Sequence, residues 1–166
     1  MALIPRTDPV RCIEARAWAF QGFKDELWIE RLRTQRYIPG GHYNHHFDWS
    51  SNSGGWGRVS SFMAWVDAED LEGGGTEFPY LNLGREADPR WCRFIECSPK
   101  AAPIETPAGS SATPEGVIFK PIPGNAIFWE NFRPDGNGYE ETWHAGLRVT
   151  KGVKVGLNIW STGRIE

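Results

Sequence analysis

Two histidines and an aspartate in this sequence have side chains and spacing suited to binding a metal ion. His46 and Asp48 lie two residues apart in the segment Tyr43–Trp49. If this segment is a β-strand, both side chains point to the same side, with Cα atoms roughly 6 to 7 Å apart. Only four histidines occur, and His144 alone lies far from the other three. His144 is therefore the candidate third ligand, in a segment, Glu141–Gly146, that we predict to be extended.

This ligand set favours an open iron centre over a structural zinc site. Two imidazoles and one carboxylate leave three positions of an octahedral ion free, as in non-haem Fe(II) oxygenases, whereas structural zinc sites are closed. The alternative is a zinc cluster of His42, His45 and His46. It is less favoured because in a strand His45 points away from the other two side chains.

A second strand, Gly152–Trp160, is predicted around Lys154, which lies ten residues beyond His144, because the side chains of this segment alternate with period two. One face is aliphatic, with Val153, Val155, Leu157 and Ile159. The other face carries Lys154, Gly156, Asn158 and Trp160. Such a strand has one face on a core and the other on a site, and a lysine buried there needs an anion.

Six motifs follow one another along the chain. They are Tyr37-x-Pro39-Gly40, His46-x-Asp48, Gly74-Gly75-Thr76-x-Phe78-Pro79, Gly124-Asn125-Ala126-Ile127-Phe128-Trp129, His144-Ala145-Gly146 and Gly152-x-Lys154. Together they resemble the catalytic domain of prolyl 4-hydroxylases, which are Fe(II)/2-oxoglutarate dioxygenases with a double-stranded β-helix. The resemblance runs from about Arg33 to Trp160. A His-x-Asp pair alone is a weak signal, but the ordered set is specific.

The resemblance implies a role for each matched side chain. Fe(II) would be bound by His46, Asp48 and His144. The far carboxylate of 2-oxoglutarate would be held by Tyr37, Thr76 and Lys154. Substrate would contact Tyr43, Arg58 and Trp160. Dioxygen would be the co-substrate and ascorbate the expected reductant.

Arg148 departs from the family pattern, which usually has a proline there, and this leaves the shape of the hairpin after His144 open. Arg148 is also the rival of Lys154 for the anion, because its planar guanidinium matches a carboxylate well. The family pattern assigns this role to the lysine.

Length and composition favour one all-β domain over residues 1–166, a double-stranded β-helix (jelly roll, cupin-like) with minor flanking helices. The chain has 166 residues, 40% of them apolar, with nine Trp, 19 Gly and 12 Pro. This composition suits a turn-rich β fold more than a helical bundle.

The flanking elements follow from local patterns. A helix is predicted from Asp8 to Phe20, with Thr7 or Asp8 as its N-cap and Pro9 in its first turn, and Asp25–Arg31 could form another short helix. Further strands are expected at Leu32–Tyr37 (from the resemblance), Val59–Val66, Thr76–Leu81, Val117–Phe119 and Ala126–Trp129. Two loops are predicted at Ser50–Gly57 and Leu83–Pro114, the second with a short strand or helix at Trp91–Ile95.

The net charge and the search for targeting signals limit the partners and the compartment that we expect. With 18 basic and 21 acidic residues, the net charge of −3 provides no broad basic surface, so neither nucleic acid nor an anionic membrane is an expected partner. We find no signal peptide and no membrane span and expect a cytoplasmic protein; the oligomeric state is not indicated. A Cys92–Cys97 disulfide is possible, but reduced thiols are favoured in a reducing compartment.

We therefore predict an Fe(II)- and 2-oxoglutarate-dependent dioxygenase that hydroxylates an unactivated C–H bond, in first place that of a prolyl residue in a peptide or protein. A hydroxylase of a free amino acid or small metabolite is the alternative. A catalytically silent jelly roll that acts as a sensor or binding module is a third. The complete ligand set with Lys154 argues against the silent protein.

Overall fold

Antiparallel strands in two sheets are the main elements of this computed structural model, which describes residues 1–50, 55–82, 88–97 and 116–165. The described strands are β1 (Ala2–Leu3), β2 (Leu27–Ile29), β3 (Arg33–Tyr37), β4 (Tyr43–His46), β5 (Trp56–Gly73), β6 (Thr76–Phe78), β7 (Val117–Phe119), β8 (Ala126–Glu130), β9 (His144–Gly146) and β10 (Val149–Arg164). The larger sheet has the order β1-β3-β10-β5-β8, and β2 also pairs with β10. The smaller sheet has the order β4-β9-β6-β7. The predicted jelly-roll fold is confirmed.

The long strand β10 connects the core to the site. Leu157 and Ile159 on one face are buried in a hydrophobic cluster with Val10 and Ala17 of the helix α1 (Asp8–Phe20). The opposite face carries Lys154, Asn158 and Trp160, which line a cavity. The alternation predicted from the sequence is therefore the actual division between core and site.

The helix α1 covers the larger sheet on its core side. It begins after Thr7, which occupies the N-cap position without a capping hydrogen bond from its side chain, and a proline lies in its first turn. The predicted range is confirmed. Among the described residues, no helix has the length and apolar character needed to cross a bilayer.

The prediction of a short helix at Asp25–Arg31 is wrong. Phe23 and Glu26 both have φ of 55°, a backbone conformation that does not continue a helix. The chain then forms β2, whose Leu27 is buried and whose backbone pairs with residues 161–163 of β10. Pairing with a distant strand has overridden a weak local preference.

Several strand ends also differ from the predictions. The strand β4 ends at His46, so Asp48 lies in a bend. The strand β5 is much longer than Val59–Val66, whereas β6 stops at Phe78, because Pro79 cannot donate a ladder hydrogen bond. Before β9, the chain forms a 3-10 helix (Glu140–Thr142) rather than an extended segment.

The two predicted loops are described only in part. Residues 51–54 of the first loop lie outside the described residues, and its last part, from Trp56, already belongs to β5. Of the second loop, residues 83–87 and 98–115 lie outside them. The part in between contains a 3-10 helix (Pro89–Arg93) and a bridge between Ile95 and Phe119.

A disulfide joins Cys92 to Cys97. The sequence favoured reduced thiols, and this expectation is corrected by the structure. The 3-10 helix that contains Cys92 returns the chain towards Cys97, and the Cα atoms of the two cysteines are 5.3 Å apart, within the range that a disulfide requires.

Candidate active site

Strand register brings the two distant histidines together. His46 of β4 lies opposite His144 of β9, and the centroids of their rings are 4.3 Å apart. Asp48 follows in the bend, with Oδ1 3.6 Å from Nε2 of His46. One ligand atom from each of the three side chains lies within 4.8 Å of the other two, close enough to share an ion.

Hydrogen bonds orient both imidazoles for metal binding. Nδ1 of His46 lies 2.8 Å from the carbonyl oxygen of Asn44, and Nδ1 of His144 lies 2.8 Å from that of Thr142. Since a carbonyl oxygen can only accept, each Nδ1 carries the proton and each Nε2 keeps a free lone pair. The donor set therefore fits a metal ion without rearrangement of the tautomers.

Asp48 is held as a carboxylate by its neighbours. Its side chain is 4% exposed, and the indole N–H of Trp160 donates to Oδ2 at 2.9 Å. Burial raises the pKa of Asp48, but its interactions with the His46 and His144 side chains and its hydrogen bonds from Ser61 and Trp160 together lower the pKa by more. Burial lowers the pKa of His144, which favours the neutral imidazole that a metal requires.

Lys154 is a buried cation on the β10 face that lines the cavity. Its residue is 1% exposed, and Nζ donates to the carbonyl oxygen of Gly74 at 2.5 Å. Gly74 has φ of 72° in the turn between β5 and β6, a conformation that glycine adopts readily. No carboxylate among the described residues pairs with Lys154. Burial lowers the pKa of Lys154 to about 8. The lysine is therefore still mostly protonated at neutral pH and can bind an anion.

Two hydroxyl groups accompany Lys154 in the cavity. Tyr37 lies opposite it in the β3–β10 register, with its ring centroid 4.8 Å from Nζ, and Thr76 is buried on β6. The hydroxyl of Tyr37 donates to Gln35, and burial followed by the nearby Tyr43 raises the pKa of Tyr37 to about 12. The tyrosine therefore remains a neutral hydrogen-bond donor.

Arg148, the rival cation, lies outside this cavity. Its side chain is exposed and donates to the carbonyl oxygen of Gly40 at 2.9 Å. The geometry favours Lys154 as the partner of an anion.

The three predicted substrate contacts lie at different depths. The ring of Tyr43 is exposed and packs 4.4 Å from that of His46. Arg58 lies with its guanidinium 3.8 Å above the ring of the buried Trp160, and two hydrogen bonds of 2.8 and 3.2 Å join it to Glu30. Trp160 lines the cavity and also donates a hydrogen bond to Asp48. The position of Trp160 in the sequence did not indicate this hydrogen bond.

Three further cavity residues were missed in the sequence: Gln35, Met63 and Trp129. Gln35 precedes Tyr37 by two positions, and strand alternation could have indicated it, but Leu32–Tyr37 alternates too weakly to be recognised as a strand. Met63 resembles an ordinary core residue in the sequence. Trp129 ends one of the six motifs but was given no role at the site.

The zinc alternative is not supported among the residues described. Nε2 of His45 lies 2.8 Å from Oε2 of Glu77, and Nδ1 of His42 lies 3.2 Å from the carbonyl oxygen of Gly40. Neither side chain joins His46 in the group that could hold a metal.

Comparison with known proteins identifies the family. The model of the 2OG-Fe(II) oxygenase superfamily matches residues 32–162. The chain belongs to this superfamily. As a 2OG-Fe(II) oxygenase, it has the fold and the candidate iron site that the sequence motifs predicted.

The relatives of this 2OG-Fe(II) oxygenase include named prolyl 4-hydroxylases. The chain is 27% identical over 136 residues to probable prolyl 4-hydroxylase 3 of Arabidopsis thaliana. This alignment covers 79% of the chain and 42% of the relative. It is also 28% identical over 142 residues to prolyl 4-hydroxylase subunit alpha-3 of Homo sapiens, in an alignment that covers 80% of the chain and 19% of the relative. The chain spans less than half the length of these curated relatives.

Solved structures show the same fold. A viral collagen prolyl hydroxylase from Paramecium Bursaria Chlorella virus-1, in complex with 2OG, superimposes with a TM-score of 0.66 at 24% identity, over 96% of this chain and 76% of the viral one. A prolyl-4-hydroxylase from Pseudomonas putida gives a TM-score of 0.50 at 14% identity, over 93% of this chain and 63% of the bacterial one.

Proposed function

We propose that this 2OG-Fe(II) oxygenase hydroxylates an unactivated C–H bond of a prolyl residue in a peptide, with Fe(II), 2-oxoglutarate and dioxygen. The observation that carries the proposal is the convergence of two imidazoles and a carboxylate on the cavity that also contains the buried Lys154. The names of the relatives support the prolyl substrate.

His46, Asp48 and His144 would hold Fe(II) and leave three positions open, as the family chemistry requires. When bound, the metal and 2-oxoglutarate supply the oxidising chemistry, and the protein provides binding and orientation. The backbone carbonyls behind the two imidazoles fix their tautomers, and the indole of Trp160 holds the carboxylate of Asp48 in place.

Lys154 would pair with the far carboxylate of 2-oxoglutarate, and the hydroxyl of Thr76 would donate a hydrogen bond to the same group. The hydroxyl of Tyr37, which donates to Gln35 in the structure, would turn its single proton to the carboxylate when the ligand binds. The low exposure of the lysine supports this role, because a charge-assisted hydrogen bond is strong where water is excluded. A carboxylate at this position would also compensate the cost of burying the lysine.

Tyr43, Arg58 and Trp160 would contact the substrate where the cavity opens. Tyr43 is exposed beside His46, so it can contact a residue placed above the metal. No specific observation favours a free amino acid over a peptide. The complete set of ligands argues against a catalytically silent binding module.

The test is an anaerobic titration with Fe(II) and 2-oxoglutarate, followed by a succinate assay in air. We expect a proline-containing peptide to stimulate succinate formation more than free L-proline does. Asp48→Ala is the matched control for background decarboxylation. Equal or better coupling to a free amino acid would replace the peptide substrate with a small metabolite, and no metal-dependent succinate with any substrate would support the silent module.

The cytoplasmic location remains a prediction, and the Cys92–Cys97 disulfide counts against it, because disulfides are rare in reducing compartments. Labelling of free thiols in rapidly quenched cell extract tests it. If Cys92 and Cys97 are labelled without added reductant, a reducing compartment is supported.

A further inference from the structure

Two exposed tryptophans form a pair beyond the site. Trp28 on β2 and Trp56 on β5 lie on either side of β10, with ring centroids 5.3 Å apart and the ring planes 44° from each other. The two residues are 57% and 40% exposed. Neither indole N–H has a partner in the part of the chain that the structure describes. Tryptophan is enriched at protein interfaces relative to the rest of the surface, so two adjacent exposed tryptophan rings are a candidate binding surface.

The pair lies on the same face of the sheet as the cavity. Trp28 is opposite Thr162 of β10, and Trp56 is opposite Arg164. Residues directly opposite one another project to the same face, and so do alternate residues of β10. Trp160, which lines the cavity, therefore begins a row that continues through positions 162 and 164 to the two tryptophans.

An ion pair lies beside Trp160, on the same face of the sheet as the tryptophan pair. Arg58 covers the ring of Trp160 at 3.8 Å and is held by Glu30 at 2.8 and 3.2 Å. Glu30 also accepts from the hydroxyl of Thr162 at 3.0 Å. Since Thr162 is opposite Trp28 in the strand register, this network links Trp160 to the row of β10 residues beside the tryptophan pair.

The length of this surface suits an extended peptide. The tryptophan pair is opposite Thr162 and Arg164, two and four residues beyond Trp160 on β10, about 7 to 13 Å at the rise of a β-strand. A polyproline II helix rises about 3.1 Å per residue. A peptide residue resting on the tryptophan pair would therefore be about two to four positions from one bound beside Trp160.

We propose that Trp28 and Trp56 form a subsite for a proline-rich stretch of the peptide substrate, about two to four residues from the residue that is hydroxylated. This inference rests on the proposed function. Polyproline II segments bind to grooves lined by aromatic rings, because their conformation is preformed and little entropy is lost. The backbone carbonyls of a polyproline II segment have no internal partners and can accept from the two exposed indole N–H groups.

The test compares a long and a short substrate on the full chain loaded with Fe(II). The long peptide has about twelve residues and is proline-rich on both sides of the target, whereas the short one, Gly-Pro-Gly, cannot reach the pair. The Trp28→Ala/Trp56→Ala variant should raise KM for the long peptide about tenfold, which corresponds to ~1.4 kcal/mol. Its kcat, its KM for the short peptide and its affinity for 2-oxoglutarate should be unchanged.

Trp18→Ala is the matched control. Trp18 is also an exposed tryptophan, but it lies on α1, on the opposite side of the sheet, so this variant should retain the wild-type KM. The Trp28→Phe/Trp56→Phe variant keeps two aromatic rings and should recover most of the affinity. Circular dichroism establishes that each variant is folded.

The possible results separate the two proposals. If wild-type protein hydroxylates the long peptide and the double alanine variant has the same KM, the subsite is overturned and the proposed function stands. If wild-type protein acts only on free amino acids, the proposed function itself fails. If sedimentation shows a dimer that the double alanine variant dissociates while KM is unchanged, the pair binds a second copy instead, which also overturns the subsite.

Discussion

Replacing Lys154 by methionine should weaken 2-oxoglutarate binding while metal binding is nearly retained. The lysine is 1% exposed and has a backbone carbonyl, not a carboxylate, as its hydrogen-bond partner. Methionine keeps a similar length and volume but removes the charge. The imidazoles and the carboxylate of the metal site do not contact Nζ, so their geometry should survive the change.

The magnitude follows from the pKa of Lys154. Burial lowers it from 10.5 to about 8, so the folded protein disfavours the charged lysine by about 3 kcal/mol. Pairing with a carboxylate compensates this cost, and a hydrogen bond to a charged group contributes about 1.5 to 3 kcal/mol net. We therefore expect Kd for 2-oxoglutarate to rise about ten- to a hundredfold in Lys154→Met.

The pKa of Lys154 also sets how the affinity for 2-oxoglutarate depends on pH. Below about pH 8 most of the free wild-type protein carries the charged lysine, and above it the neutral amine dominates. Since only the charged form pairs with a carboxylate, the affinity for 2-oxoglutarate should be nearly constant below about pH 7 and fall about tenfold per unit above about pH 8. The Lys154→Met variant should lack this dependence.

Anaerobic calorimetric titration of 2-oxoglutarate into the Co(II)-loaded protein measures both effects. Arg148→Met is the matched control, because it removes the neighbouring exposed cation. If Arg148→Met weakens binding and Lys154→Met does not, the wrong cation has been assigned. A decline above pH 8 that persists in Lys154→Met would show that another group titrates.

Three further perturbations test the site and the fold. His46→Ala, Asp48→Ala and His144→Ala should each abolish Fe(II)-dependent succinate formation with an unchanged circular dichroism spectrum, and near-normal turnover in any of them would refute the ligand assignment. Trp160→Phe removes the hydrogen bond to Asp48 and should raise Kd for Co(II) about tenfold; an unchanged Kd would mean that the indole does not position the carboxylate. Cys97→Ser opens a disulfide loop with a separation of five residues and should lower the free energy of unfolding in urea by about 2 kcal/mol, whereas equal midpoints with and without the bond would contradict that role.

Elements with strong local patterns were predictable from the sequence. The helix α1 has its apolar spacing and its proline within thirteen residues, and β10 alternates over residues 152–160, so each pattern is complete within its own segment. Where the local pattern was weak, the prediction failed. Residues 27–29 became β2 because β10 offered a pairing partner more than 130 positions away, which no local window contains.

The sequence by itself determined which side chains are available for the chemistry: four histidines with one of them distant, the His46-x-Asp48 pair, and a lysine on the polar face of an alternating strand. Only the tertiary structure decided how they meet. The β4–β9 register places His46 against His144, backbone carbonyls set both tautomers, and β10 brings Trp160 to Asp48. The His46–His144 and Trp160–Asp48 contacts join residues about 100 positions apart, and the strand register that makes them is set by the burial of whole sheet faces, so local spacing does not specify them.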